Sequence, residues 1–217
     1  MGSQMEPYLG DGEAATAAYA RHFAACVQCC IFSSMAADKI KLSSTTTVAR
    51  YRELELDEDR QELARFVCER FYERYFRPIE STPQAVKHGF TIMAVCCIVI
   101  ETLESFYQGL GSTANHSSRM FQDFFSRSTS LSAFAGRNDW FYRDIRCGIL
   151  HQSEARGGWR VLRSGPLLDV ANKRINATRF IRELRRAVDD YAERLPYDDA
   201  LWALFRQKMK AVCDNCV

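Results

Sequence analysis

The sequence predicts an all-α protein, a helical bundle with one small β-hairpin insertion. Three observations support this fold class. Apolar residues recur at the three- and four-residue spacing of buried helix faces along most of the chain. The uninterrupted apolar run at residues 90–100 is typical of a central helix that is buried on every side. Residues 159–170 show two short extended runs about a Ser-Gly-Pro turn, which indicates a hairpin.

Length and composition indicate one sizeable globular domain with an extension. Of the 217 residues, we assign 1–57 to an N-terminal helical extension of unknown role and 58–217 to the main helical domain. The nine cysteines include adjacent pairs inside apolar runs, which favours buried thiols in a reducing cytosol over a disulfide framework. Acidic residues precede the apolar stretch 23–37, unlike a signal peptide, and the run at 90–100 is too short to span a bilayer. We therefore expect a soluble cytoplasmic protein without a membrane partner.

Two helices are predicted before the central run. Residues 13–38 carry a loose apolar stripe, and residues 42–49 are typical of a turn or short linker. Asp57 or Asp59 can cap a second helix that continues to the residue before Pro78, where the proline ends it.

The central helix is predicted over residues 82–108, with a proline in its first turn and Gly109 after its last turn. Glu101 lies one residue past the apolar run of this helix. This carboxylate either faces solvent or pairs with an arginine of the stretch 139–159. The second alternative makes Glu101 a candidate supporting residue of a site.

The remaining elements follow the same local rules. Residues 115–128 are predicted as a short amphipathic helix whose apolar face consists of Met120, Phe121, Phe124 and Phe125. The hairpin is expected within residues 159–170. Asn176 can cap a long helix after it, and Asp198 or Asp199 can start the last helix.

Residues 139–151 are predicted as a helix with two unlike faces. One face packs on the bundle and consists of Phe141, Ile145, Gly148 and Ile149. Gly148 is expected to let a neighbouring helix approach closely. The other face mixes cations with apolar groups and consists of Trp140, Arg143, Arg146, Cys147, Leu150 and His151. Because a half-apolar outer face is often covered, we predict a homodimer in which a second copy of the helix packs across a twofold axis.

Arg146 and His151 carry the chemistry expected of this outer face. Five residues at 100° each place them about 140° apart around the helix axis, so we expect them to act jointly only across a dimer cleft. A histidine that titrates near neutrality can take the proton of an RNA 2′-hydroxyl or protonate the departing 5′-oxygen. An arginine can hold the phosphate and stabilise the charge of the transition state. Such a reaction needs no metal or other cofactor.

The charge distribution favours a polyanion such as RNA as the partner. The net charge is only +2, but from Arg137 to Arg186 there are twelve Lys and Arg against five Asp and Glu. A solvated basic surface is the alternative interpretation. Within this segment we assign Arg143, Arg156 and Arg160 to contacts with the RNA backbone.

The segment Arg146-Cys147-Gly148-Ile149-Leu150-His151 resembles the Arg-x4–6-His motif of the HEPN superfamily, helical domains that include many prokaryotic defence and toxin ribonucleases. The resemblance covers about residues 58–195, and this motif is its specific part. It implies that Arg146 and His151 are a catalytic pair that cuts RNA without metal in a homodimeric cleft, leaving a cyclic phosphate. It also implies a HEPN-like bundle and a role in defence, stress or a toxin–antitoxin pair, with an antitoxin or other protein as a further partner.

Two positions differ from the family pattern and keep another interpretation open. Cys147 follows the motif arginine, where many members have a polar residue, commonly asparagine. Ser153 occupies the position at which members paired with a nucleotidyltransferase antitoxin carry tyrosine. The alternative is a catalytically inactive HEPN-like module that binds RNA or a partner protein, in which His151 only bonds a carbonyl at the helix end.

A zinc site and base stacking are two further interpretations of the sequence. Two Cys-x-x-Cys pairs at opposite ends of the chain have the spacing of zinc ligands, namely Cys26, Cys29, Cys213 and Cys216. Trp140 and Trp159, beside the motif, can stack on RNA bases or pack within the core or an interface.

Overall fold

The computed structural model describes residues 38–83, 85–114, 116–136 and 139–216. Over these ranges the chain is mostly helical and contains a small three-stranded sheet, so the all-α class is confirmed in outline. Apart from its last residue, the helix predicted over residues 13–38 lies outside the described ranges, as do Cys26 and Cys29.

The first half of the described chain forms four α-helices and one π-helical segment. In chain order they are α1 (Val48–Leu56), α2 (Arg60–Phe71), a π segment (Tyr72–Phe76), α3 (Arg77–Glu80) and α4 (Gly89–Tyr107). Asp59 caps α2, as predicted, because its carboxylate accepts a hydrogen bond from the backbone N–H of Glu62.

The second half contains the motif and the sheet. Its elements are α5 (Ser117–Arg127), a 3₁₀ turn (Ser132–Phe134), a second π segment (Phe141–Arg146), α6 (Cys147–Gln152), β1 (Arg160–Leu162), β2 (Leu168–Asp169), β3 (Arg174–Asn176), α7 (Ala177–Arg194) and α8 (Asp199–Asp214). The predicted caps are confirmed at Asn176 for α7 and at Asp198 for α8.

Helix α1 lies within the segment 1–57 and contributes to the same core as the later helices. Val48, Tyr51 and Leu54 are buried there, and the linker predicted at residues 42–49 gives way to helix already at Val48. The division of the chain at residue 57 stays a prediction.

Pro78 does not end the helix that contains it, which corrects the prediction. The helical rod continues from α2 through the first π segment and α3 to Glu80. In the π segment a backbone N–H bonds the carbonyl five residues earlier, as the N–H of Arg77 does with the carbonyl of Tyr72. This change of register leaves Pro78 in the first turn of α3, where its missing N–H costs little.

The central helix begins later than predicted, at Gly89. The hydroxyl groups of Ser81 and Thr82 both donate to the carbonyl of Pro78 and so close the preceding helix, and the chain then turns before α4 begins. The predicted end is confirmed, since Gly109 follows α4 with a φ of +65°.

Helix α4 lies at the centre of the bundle, as the apolar run predicts. It packs against α5, α7 and α8 as well as against residues 141–152, the motif segment, which consists of the second π segment and α6. By length and composition it could cross a membrane, but over half of that stretch is buried inside the protein, as in the core helix of a soluble protein.

The predicted hairpin is wrong in its pairing. The two strands on either side of the Ser-Gly-Pro turn do not pair with each other but with β3, giving the order β1-β3-β2. Strand β1 runs parallel to β3 and β2 runs antiparallel to it. The central strand carries the fully buried Ile175, and the side chain of Asn176 donates to the carbonyl of Gly165 in the turn.

An aromatic cluster anchors the motif segment to the bundle. The predicted apolar face of α5 is buried, and its Phe125 ring lies 5.0 Å from that of Phe141. Phe141 in turn stacks on Phe180 of α7 at 5.5 Å. These contacts fix where the second π segment lies and therefore where the residues after it project.

Candidate active site

The motif segment keeps its predicted buried face but is not a uniform α-helix. Phe141, Ile145, Gly148 and Ile149 are all buried. The first part is a π segment that ends at Arg146, and the α-helical part starts at Cys147. Helical segments of π type occur frequently at functional sites.

Arg146 and His151 meet within one chain. The Nη1 atom of Arg146 lies 3.2 Å from Nε2 of His151. The predicted separation of about 140° does not keep them apart, because Arg146 stands where the π segment passes into α6 and its long side chain spans the gap. A guanidinium can only donate, so Nε2 of His151 is the acceptor in a hydrogen bond between the two side chains.

Glu101 pairs with the motif arginine, the second of the two alternatives for this residue. Nε of Arg146 donates to Oε1 of Glu101 at 2.8 Å, and the two side chains are only 17% and 14% exposed. The other oxygen of Glu101 accepts a bond from the hydroxyl of Ser117 at 3.2 Å. Glu101 thus connects the central helix to the motif and fixes the orientation of the guanidinium.

The surroundings of Arg146 keep its side chain charged. Burial lowers the pKa of Arg146, but the hydrogen bond and the negative charge of Glu101 outweigh burial and raise it above its usual value. The guanidinium also lies 5.5 Å from the ring centroid of Tyr142. Burial, followed by the influence of Cys147, raises the pKa of Tyr142, so this phenol stays protonated at neutral pH.

A hollow of about 390 Å³ adjoins Arg146. Its lining includes Glu101, Thr102 and Ser105 of α4, Arg146 and Leu150 of the motif, and Lys208 of α8. Ile98 and Leu150 on its rim are large apolar side chains that are 43% and 39% exposed. Cationic, polar and apolar groups are therefore presented together beside the Arg146–His151 pair.

Arg143 forms a bidentate bond with Asp144. Its Nε and Nη2 atoms each donate at 2.7 Å to the buried carboxylate, and this contact with Arg143 lowers the pKa of Asp144. Arg156 and Arg160 are exposed beyond the motif. Arg143 and Arg156 both lie beside Asp144, and the contacts of all three arginines with RNA stay predictions.

Gly148 serves a different neighbour from the one predicted. A Cβ atom at this position would clash with the carbonyl oxygen of Glu154 and crowd Arg156, so the close approach is that of the loop after α6. The loop returns to the motif because the N–H of Arg156 donates to the carbonyl of Asp144 at 2.8 Å. The glycine thus shapes the chain itself and is not evidence for helix–helix packing.

Trp140 and Trp159 stack on each other. Their ring centroids are 3.8 Å apart with an interplanar angle of 10°, and Trp159 is buried. This contact corresponds to the packing alternative, since each ring already occupies a face of the other.

Sequence reasoning missed Tyr142 and Ser117 as neighbours of the pair. Tyr142 lies four residues before Arg146, and that spacing signals proximity on a helix. Ser117 starts a different helix and carries no local signal. Among the described residues no group of three or more His, Cys, Asp or Glu could hold a metal ion, and the zinc alternative stays untested because Cys26 and Cys29 lie outside them.

Comparison of the chain with protein-family models, with curated proteins and with solved structures finds no match.

Proposed function

We propose that the protein is a metal-independent endoribonuclease of the HEPN type that acts as a cytoplasmic homodimer. The observation that carries the proposal is the contact between Arg146 and His151, with Glu101 holding the arginine from the other side. An arginine with an imidazole nitrogen at hydrogen-bonding distance is a suitable pair for transesterification at an RNA phosphate.

The proposed reaction begins when the phosphate of an RNA strand takes the place of the imidazole as the acceptor for Arg146. The guanidinium then donates to phosphate oxygens, and Nε2 of His151 becomes free to accept the proton of the 2′-hydroxyl. The 2′-oxygen attacks phosphorus, and the bond from phosphorus to the 5′-oxygen breaks. The departing 5′-oxygen takes a proton from a second acid, which leaves a 2′,3′-cyclic phosphate and a 5′-hydroxyl.

The second acid is the reason that the proposal includes a dimer. One chain presents one histidine beside its arginine, and a second copy facing it supplies the other, which has to be protonated to act as the acid. The exposed Ile98 and Leu150 provide apolar surface next to the pair that a second copy would cover. A function in defence or stress, with an antitoxin or other protein as a further partner, belongs to the same proposal.

The competing proposal is a HEPN-like module that binds RNA or protein without cleaving it. It is favoured by the ion pair between Arg146 and Glu101, which already compensates the charge of the guanidinium. Cys147 after the motif arginine, where many family members have a polar residue, also favours it.

Cleavage of single-stranded and structured RNA in EDTA separates the two proposals. We expect the wild type to cleave and to leave 2′,3′-cyclic phosphate ends, and His151→Ala and Arg146→Ala to lose about 100-fold or more in rate. His88→Ala is the matched control, because His88 bonds the carbonyl of Val86 outside the candidate site. Cleavage that survives in both site variants, or that requires a divalent ion, contradicts the mechanism. RNA binding without cleavage by the wild type supports the module that binds RNA without cleaving it.

A further inference from the structure

A second basic cluster lies outside the motif stretch, where the first π segment meets α8. Arg70, Arg74 and Lys208 line one hollow of about 180 Å³, with Phe106 of the central helix among its walls. Nζ of Lys208 lies 6.0 Å from the ring centroid of Phe106. Three cations thus surround a small space that the function proposed above has not used.

These cations have no acidic partner in the part of the chain that the structure describes. None of the ion pairs found there includes Arg70, Arg74 or Lys208. The two arginines both donate to the carbonyl of Leu42, and the bond from Arg74 is 3.1 Å long. Since each guanidinium carries five N–H donors, most of their donors remain for another acceptor.

The cluster is electrostatically strained. Burial, and then the charge of Arg74, lower the pKa of Arg70 to about 10. Burial, and then the charge of Arg70, also lower the pKa of Lys208. Like charges held close together are unfavourable, and a bound anion would offset that cost.

The cluster adjoins the candidate active site. Thr102 and Lys208 line both this hollow and the larger one beside Arg146. Thr102 also follows Glu101, the partner of Arg146, on the central helix. A polyanion lying against Arg146 could therefore continue past Lys208 to the two arginines.

We propose that Arg70, Arg74 and Lys208 bind a phosphate group of the RNA strand on which the neighbouring Arg146–His151 pair acts. The assignment to RNA rests on the proposed function; the phosphate chemistry does not. Arginine offers paired donors that match two phosphate oxygens, and lysine adds a point charge. The hollow holds a phosphate away from the scissile one and fixes the register of the strand.

RNA binding is measured by fluorescence anisotropy on full-length protein carrying His151→Ala, so that the oligonucleotide stays intact. Arg74→Gln and Lys208→Gln are each expected to weaken binding about tenfold and to reduce the slope of log affinity against log salt by about 0.7. Lys210→Gln is the matched control, since it removes the same charge two residues further along α8, where Lys210 pairs with Asp214. We expect Lys210→Gln to stay within about twofold of the parent. Unfolding midpoints show that each variant is folded.

Isothermal titration calorimetry with inorganic pyrophosphate tests the phosphate site without RNA. We expect the parent to bind pyrophosphate and both site variants to lose that binding. If pyrophosphate binding depends on Arg74 and Lys208 while the wild type never cuts RNA, the phosphate site stands and the proposed nuclease fails. If Lys208→Gln and Lys210→Gln weaken RNA binding equally, the site is refuted even where cleavage is observed. If only pyrophosphate binding responds to the site variants, the assignment to the RNA strand is refuted.

Discussion

Removal of the ion pair between Arg146 and Glu101 should change the free energy of unfolding by a measurable amount. The change is Glu101→Gln, which keeps the size of the side chain and an oxygen that can accept from Nε of Arg146, but removes the negative charge. The amide that replaces the carboxylate can still form a hydrogen bond with the hydroxyl of Ser117. The variant therefore isolates the contribution of charge to a contact that is 2.8 Å long and mostly buried.

The magnitude follows from two opposing terms. At an effective dielectric constant of about 20, opposite charges about 4 Å apart attract by about 4 kcal/mol. Removal of two partly buried groups from water offsets much of this attraction. We therefore expect Glu101→Gln to lower the free energy of unfolding by about 1–2 kcal/mol, which corresponds to about 2–8 °C in Tm for a chain of this size.

A double-mutant cycle gives the clean measurement. Urea unfolding of Glu101→Gln, Arg146→Gln and the double variant should show a coupling energy of about 1–2 kcal/mol. The exposed pair between Arg50 and Glu53, whose side chains are 52% and 63% exposed, serves as the reference cycle. That cycle should give less than about 0.5 kcal/mol. Equal coupling in the two cycles would show that burial does not strengthen the Arg146–Glu101 contact, and Glu101 would lose its supporting role.

Two further predictions concern the motif loop and the buried carboxylate of the core. Gly157→Ala should lower the free energy of unfolding by about 1–3 kcal/mol, since its φ is +62° and a Cβ atom would lie 2.9 Å from Oδ2 of Asp144. Gly136→Ala, with a positive φ but open space around it, should cost only about 1 kcal/mol, and equal losses would contradict the clash. Glu104 is fully buried, and burial raises its pKa above 4.5 despite the hydrogen bonds from Arg127. Its protonated carboxyl therefore stabilises the fold below the ordinary carboxyl pKa, and this contribution is lost as the pH rises through the raised pKa. Relative to Glu104→Gln, the wild type should thus lose unfolding free energy as the pH rises from the ordinary carboxyl pKa through the raised one, and a gain over that rise would refute the sign.

Local chemistry made much of the fold predictable. The caps at Asp59, Asn176 and Asp198 depend on one side chain bonding an N–H three residues later, and that relation is visible in sequence. The buried face of α5 and the central position of α4 follow from apolar periodicity and from an apolar run too hydrophobic for the surface.

The errors arise where distant parts of the chain compete with local preference. The parallel pairing of β1 with β3 joins strands that are separated in sequence by β2. The sequence of either strand alone does not predict which strand it pairs with or in which register. The contact between Arg146 and His151 was not foreseen because the rotation of about 100° per residue separates the two positions around the axis, and the long arginine side chain spans that gap. Glu101 was identified as a candidate partner because it follows directly on the buried run, although its pairing needed the packing of α4 on the motif.

Both π segments contain a cation of the proposed RNA-binding surface: Arg74 lies in the first and Arg146 ends the second. A π turn behaves as an α-helix into which one residue has been inserted. If the same residues of the second segment were wound as a regular α-helix, everything after it would be rotated by about 100° relative to the buried Phe141. Arg146 would then no longer face Glu101. The π turn of this segment is therefore as specific a requirement of the proposed site as the identity of its arginine.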